Sequence, residues 1–259
     1  LDHVAAEIDR VRSSFGNAAI FAGSYGWGSA GRFHHPQGQL HRFLNLLGGY
    51  TGHRGTYSIA AIEHMLPRVI GMDWKQFSAE QTCWRSLEEH TELFVCFGGM
   101  SVRNAQVSPG GAGRHRVAET IGRCAARGAR FVNISPDRTT LVTDPAATWL
   151  ALKPGTDTAL MLALAHELIV NDWHRADFLE SHCTGYAQLE RYILGEADGV
   201  AKSADWAGPL TGVAASAIRE LARDMARSRT MITMSWSIQR ARFGEQPVWM
   251  GIALAAILG

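Results

Sequence analysis

Polar and apolar positions recur with two different periods along the 259-residue chain. LDHVAAEIDRVRSSFG (residues 1–16) spaces its apolar residues as a short amphipathic helix does. PQGQLHRFLNLLGG (36–49) repeats that spacing through Leu40, Phe43, Leu44 and Leu47, with Pro36 suited to a first turn and Gly48 to a stop. IAAIEHMLPRVIG (59–71) predicts a further helix, bent or ended near Pro67. From about Glu89 the pattern changes. TELFVCFGG (91–99), ARFVNISPD (129–137) and TMITMSW (230–236) are short apolar runs that read as buried strands. Between and after them lie helical patterns: RHRVAETIGRCAARG (114–128), GTDTALMLALAHELIVND (155–172), VAASAIRELARDMARSR (213–229) and the apolar EQPVWMGIALAAILG (245–259). DWHRADFLESH (172–182) reads as a short helix capped by Asp172. Apolar strands separated by helices predict an α/β fold, a parallel Rossmann-like sheet covered on both faces. The change of pattern divides the chain into residues 1–85 and residues 86–259. No internal repeat or low-complexity linker interrupts it.

Composition narrows the function classes. With 46% hydrophobic and 19% charged residues the chain has ample material for a core. A net charge of +1 argues against a general nucleic-acid binder, which carries a basic stripe. No apolar run approaches the roughly 20 residues that span a bilayer. Cys83, Cys96, Cys124 and Cys183 form no C-x-x-C pair, so neither a zinc ribbon nor an iron–sulfur cluster is expected in this segment. Redox chemistry here therefore requires a non-covalent cofactor. The first residue is Leu and the last apolar helix ends without a tail, so we expect an internal piece of a longer protein.

The chemistry is expected where the strands end, because ligands of open α/β sheets bind beyond their carboxyl edges. The three predicted ends, FGGMSVRNAQ, NISPDRTT and MSWSIQRARFGEQ, carry glycine, hydroxyl, amide and guanidinium groups. KPGTDTAL puts Gly155 and Thr156 at a helix start, where unpaired N–H groups suit phosphate, with the Asp157 carboxylate able to accept from a base or a ribose. Asp157 equally suits a helix cap, and so does Ser58. No G-x-G-x-x-G follows the first strand, so the usual nicotinamide pattern is absent, and no G-x-S-x-G elbow supports a serine hydrolase. Near the start, FAGSYGWGSAGRFHH (21–35) sets Tyr25 and Trp27 on a glycine-rich backbone, either as loop packing or as the wall of a pocket.

Four stretches in order, SYGWGSAGRFHHPQ, GGYTGHRGTYS, the NISPDRTT/KPGTD pair and WSIQRARFGEQP, resemble the dimethyl sulfoxide reductase family of molybdopterin oxidoreductases, and within it the S-oxide and N-oxide reductases. The resemblance implies molybdenum held by two molybdopterin guanine dinucleotides and reduction of a small-molecule S-oxide or N-oxide by oxygen-atom transfer, with electrons from a redox partner. It implies Ser58 as the protein ligand to the metal. Tyr25 and Trp27 then project over the metal as hydrogen-bond donors, while Gly28, Ser29, Ala30 and Gly31 let the backbone approach the cofactor. Trp236, Ser237 and Arg240 match a WS-x-x-R segment beside cofactor and substrate, with Arg240 and Ser58 counted in the catalytic set. Asn104, Ile134, Ser135, Gly155, Thr156 and Asp157 match positions along one dinucleotide. Residues 1–85 then carry the metal ligand and residues 86–259 form the dinucleotide-cofactor domain. Two positions depart from the family pattern: Thr56 stands where many relatives are acidic, and Met100 where many carry an amide. A molybdopterin enzyme of different chemistry and a non-catalytic nucleotide-binding module remain as alternatives.

Overall fold

The computed structural model describes residues 1–23, 34–105 and 115–259. They divide into two compact units, Leu1–Thr56 with Arg103–Val117, and Tyr57–Val102 with Ala118–Gly259. In the first unit, helices Asp2–Phe15 and Pro36–Leu46 match their sequence periods. The His35 ring accepts from Gly38 N at 2.9 Å and so caps the second helix, with Pro36 at its start. Asn17 ties the unit together by donating to the carbonyls of Leu47 and Gly49, at 3.2 and 2.8 Å.

The second unit is built on a sheet of strands β1 (Leu93–Phe97), β2 (Arg130–Ile134), β3 (Thr148–Leu150) and β4 (Thr230–Met234). Their order is β3-β2-β1-β4 and every pairing is parallel. All five residues of β1 are buried, as a central strand covered on both faces must be, which explains its unbroken apolar run. Phe94 and Phe131 stack across the β1–β2 pair with centroids 4.6 Å apart. The helix Asp157–Val170 is apolar nearly all round because it lies inside the unit, packed by helices Ala204–Thr211, Ala215–Arg227 and Glu245–Leu258.

Three of the four strands coincide with the expected ones. β3 was not anticipated: three residues, mostly exposed, at the sheet edge leave no readable period. The helix expected to start at Asp172 starts later, at Ala176, with Arg175 at its N-cap. Asp172 instead adopts φ 56° where Asp157–Val170 ends, its N–H donating to Ile169 O. A short polar side chain tolerates that left-handed turn, so the residue terminates one helix without capping the next. Pro67 sits in the last turn of helix Ala60–Val69, which runs two residues past it. Cys96 and Cys124 are buried, whereas Cys83 is exposed. No helix among the described residues is long and apolar enough to cross a membrane.

Candidate cofactor site

Because every strand is parallel, the segments after all four strands emerge at one edge of the sheet. The order reverses between β1 and its two neighbours: the chain moves from β1 to β2 and β3, then returns to place β4 on the other side of β1. That is a topological switch point, where open sheets leave a crevice for ligands. Two glycines allow the loops there to close on one another. Gly98 has φ 78°, and a Cβ on it would stand 2.7 Å from Ser235 Cβ and 2.9 Å from Ile238 Cγ2. Gly99 has φ 76°, and its Cβ would meet Thr140 Oγ1 at 2.3 Å. Any side chain at either position would force the turn after β4 or the turn after β2 away from β1.

The turn after β4 begins with Ser235, whose Oγ accepts from Ser237 N at 3.4 Å and lies 2.9 Å from Ser237 Oγ. Trp236, Ser237 and Arg240 are exposed on this turn, and Trp236 packs edge-on against Trp74, 5.4 Å between centroids. Gln239 points the other way and is only 4% exposed. Its Nε2 donates to Ser58 O at 2.6 Å, Tyr57 O at 3.2 Å and Trp236 O at 3.1 Å. Its Oε1 accepts from Ala61 N at 3.0 Å. Arg240 Nε donates to Ser58 O at 3.3 Å, and Tyr57 Oη donates back to Arg240 O at 3.1 Å. Ser58 and the WS-x-x-R turn, 180 residues apart in sequence, are therefore joined.

The capping alternative for Ser58 is settled by this arrangement. Ile59 is the N-cap of helix Ala60–Val69, and no side chain of that segment caps it; the donor Ala61 N is satisfied by Gln239 instead. The Ser58 hydroxyl is half-buried and makes no hydrogen bond among the described residues.

Ile134 ends β2 fully buried, and Ser135 follows with its hydroxyl engaged within the turn, donating to Asp137 O and accepting from Asp137 N, both at 3.1 Å. Trp149 Nε1 donates to Ser135 O at 2.9 Å, fixing β3 to this turn. Past β3, Gly155 (φ 78°) borders open space. Thr156 turns its hydroxyl to Lys153 O at 2.6 Å, so the helix Asp157–Val170 starts without a side-chain cap. Asp157 is 6% exposed; burial pushes its carboxyl up to about 6, opposed by a hydrogen bond from its own backbone, and no cation pairs with it among the described residues. Asn104 stands in the short helix Val102–Ala105 that follows β1. Tyr25, Trp27, Gly28, Ser29, Ala30 and Gly31 lie outside the described residues. Gln239 is the residue that sequence reasoning missed; the only trace was an amide inside an otherwise recognised segment.

Comparison with known proteins assigns this edge a family. The family model described as Molybdopterin oxidoreductase matches residues 1–259. The chain belongs to that family. Relatives of this molybdopterin oxidoreductase chain include biotin sulfoxide reductase of Cereibacter sphaeroides, 48% identical over all of the chain and 35% of the relative. Trimethylamine-N-oxide reductase of Haemophilus influenzae is 37% identical, and dimethyl sulfoxide/trimethylamine N-oxide reductase of Rhodobacter capsulatus 38% identical, each over 100% of the chain and 31% of the relative. The chain thus spans about a third of the length of the curated relatives it matches. Acetylene hydratase from Pelobacter acetylenicus shares the fold with a TM-score of 0.59 at 18% identity, over all of this chain and 32% of its own.

Membership implies a molybdenum–pterin cofactor, and the residues at this edge fit one. Ser58 offers a hard oxygen donor without a competing partner among the described residues. Asp157 offers a buried carboxylate short of a donor, next to an uncapped helix start. Among the described residues no three His, Cys, Asp or Glu side chains gather to hold a metal by themselves.

Proposed function

We propose that the protein reduces S-oxides, and N-oxides as the neighbouring substrate class, at molybdenum carried by two molybdopterin guanine dinucleotides. The observation that carries this reading is Ser58, whose hydroxyl makes no hydrogen bond among the described residues and whose own carbonyl is held by Gln239 and Arg240 beyond the end of β4. Three relatives at 37–48% identity bear the names of S-oxide or N-oxide reductases, which supports the same reaction class.

Held by Ser58 and the residues after β4, the cofactor would supply two-electron oxygen-atom-transfer chemistry, with two electrons from a redox partner and two protons turning the substrate oxygen into water. The chain's own residues hold and aim. Ser58 would hold the metal through Oγ as an alkoxide, its hydroxyl proton passing to solvent. Arg240, anchored through Nε, presents the rest of its guanidinium beside Trp236 and Ser237 as donors to anionic cofactor groups and to substrate oxygen. Asp157 accepts from the amino and imino groups of guanine, which supply the donors that its burial lacks. Gly155 and the helix start would receive phosphate, Ile134 and Ser135 would flank the same dinucleotide, and the family resemblance adds Asn104 to that set. The family resemblance would make Tyr25 and Trp27 donors to the substrate oxygen and Gly28, Ser29, Ala30 and Gly31 part of the cofactor-binding set. In this reading residues 1–85 supply the metal ligand and residues 86–259 the dinucleotide site.

The test is the loaded enzyme with a reduced dye as electron donor. Wild type is expected to turn over dimethyl sulfoxide and biotin sulfoxide, and Ser58→Ala to fall to the uncatalysed background while retaining pterin. Full activity in Ser58→Ala would remove the ligand assignment, and a protein purified without molybdenum or pterin would remove the whole reading.

A further inference from the structure

We infer that Gln239 is the positioning residue for Ser58: a buried amide that holds the serine backbone to the turn after β4 and so fixes the position from which its hydroxyl projects. This rests on the proposed ligand role of Ser58 and adds a residue to it. Four hydrogen bonds converge on one side chain. The two N–H bonds of Nε2 are shared among three carbonyls, of Tyr57, Ser58 and Trp236, while Oε1 holds the first-turn N–H of Ala61. An amide is the side chain that can donate at one end and accept at the other with this reach. Flanking Ser58 from residues 57 to 61, these contacts leave the serine backbone little freedom to rotate. Gln239 is itself held rigidly: it is 4% exposed, and Gly244 passes so near that a Cβ there would lie 1.8 Å from Gln239 O. Arg240, its neighbour, reaches the same Ser58 carbonyl, so substrate-side and ligand-side groups move as one piece. Outer partners that orient a metal ligand typically matter roughly 10- to 100-fold in affinity or activity.

Two variants separate positioning from packing. Gln239→Glu keeps the shape and the acceptor for Ala61 N but replaces the donors to Ser58 with oxygen. Gln239→Met keeps the approximate volume and loses both ends. In the loaded enzyme each is expected to lower kcat roughly 10- to 100-fold with KM changed far less. Each is also expected to change the electron paramagnetic resonance signal of the partly reduced metal from that of wild type, with the serine oxygen shell in X-ray absorption weakened. An unchanged resonance signal and oxygen shell, with only a lower unfolding temperature, would overturn the inference. In wild type, with no substitution, the Ala61 amide is expected to exchange slowly although it lies in a first helical turn; fast exchange would overturn it equally. Ser58→Ala is the control for the underlying reading. If it leaves the oxygen shell intact, the ligand assignment itself fails. If it removes that shell while the Gln239 variants leave theirs untouched, the ligand assignment stands and the positioning role fails alone.

Discussion

Asp157 and Ser58 are two side chains that the fold has left chemically unfinished, in different ways. Ser58 has a hydroxyl without a hydrogen-bond partner among the described residues, whereas Asp157 has a carboxyl whose burial makes ionisation costly. The Asp157 case sets a pH dependence. Its folded value, about 6, lies above the ordinary 3.8, so the folded state holds the proton longer than the unfolded state does. The cofactor-free protein therefore loses stability as pH rises from about 4 through about 6, by up to about 3 kcal/mol for a shift of this size. Asp157→Asn removes the titration. Urea unfolding of the cofactor-free protein is expected to show the variant more stable at pH 8, by as much as that amount, and level with wild type at pH 4. A variant no more stable at pH 8 would mean that the carboxylate has a partner or water that relieves it. With cofactor bound, donors facing the carboxylate should favour its ionised form and shrink the pH dependence.

The segments between strands carry the site, and they depend on backbone close approach more than on side-chain packing. Gly98 meets both conditions that exclude a side chain, a φ of 78° and a neighbour at 2.7 Å. Gly98→Ala is expected to cost about 3 kcal/mol, from left-handed strain together with overpacking against Ser235 and Ile238. A matched drop in the urea midpoint would register it, accompanied by loss of cofactor because the turn bearing Trp236–Arg240 is pushed outward. This level also explains what could be read in advance. β1 was legible because burial on both faces leaves a five-residue apolar run, β2 because four of its five residues are buried, and β4, half-buried at the sheet edge, through Met231, Ile232 and Met234. Asp157–Val170 was legible because it is apolar along most of its length. Helices Trp74–Glu80 and Ala204–Thr211 passed unnoticed although Asp73 and Ser203 cap them through Gln76 N and Trp206 N. Those capping signals were in the sequence; the runs were too short to show a period. Gln239 was illegible for a different reason. Its role comes from four bonds, three of them to residues about 180 positions away, and no local pattern encodes them.

Parallel strands separate the labour of the molecule in space: the helices and sheet interior maintain the fold, and the carboxyl edge of the sheet presents chemistry. If that separation is real, stability and activity can be damaged independently. Leu164 provides the contrasting case, since it is fully buried in the middle of Asp157–Val170 among helices, two turns from the Asp157 end. Leu164→Ala leaves a cavity in that layer and is expected to cost about 3 kcal/mol. Activity per molybdenum atom, assayed well below the unfolding transition, should stay close to wild type, because the loops after β1 and β4 are braced to one another and to Ser58 and not through this side chain. Gln239→Glu should differ from it in activity: the urea midpoint falls there too, because a carboxyl oxygen then faces the carbonyls of Tyr57, Ser58 and Trp236, but activity per molybdenum falls with it. The two variants together make the comparison decisive. If Leu164→Ala lowers activity per molybdenum as far as Gln239→Glu does, the helical layer also sets the geometry of the edge, and the division between scaffold and site drawn from the sheet topology is wrong.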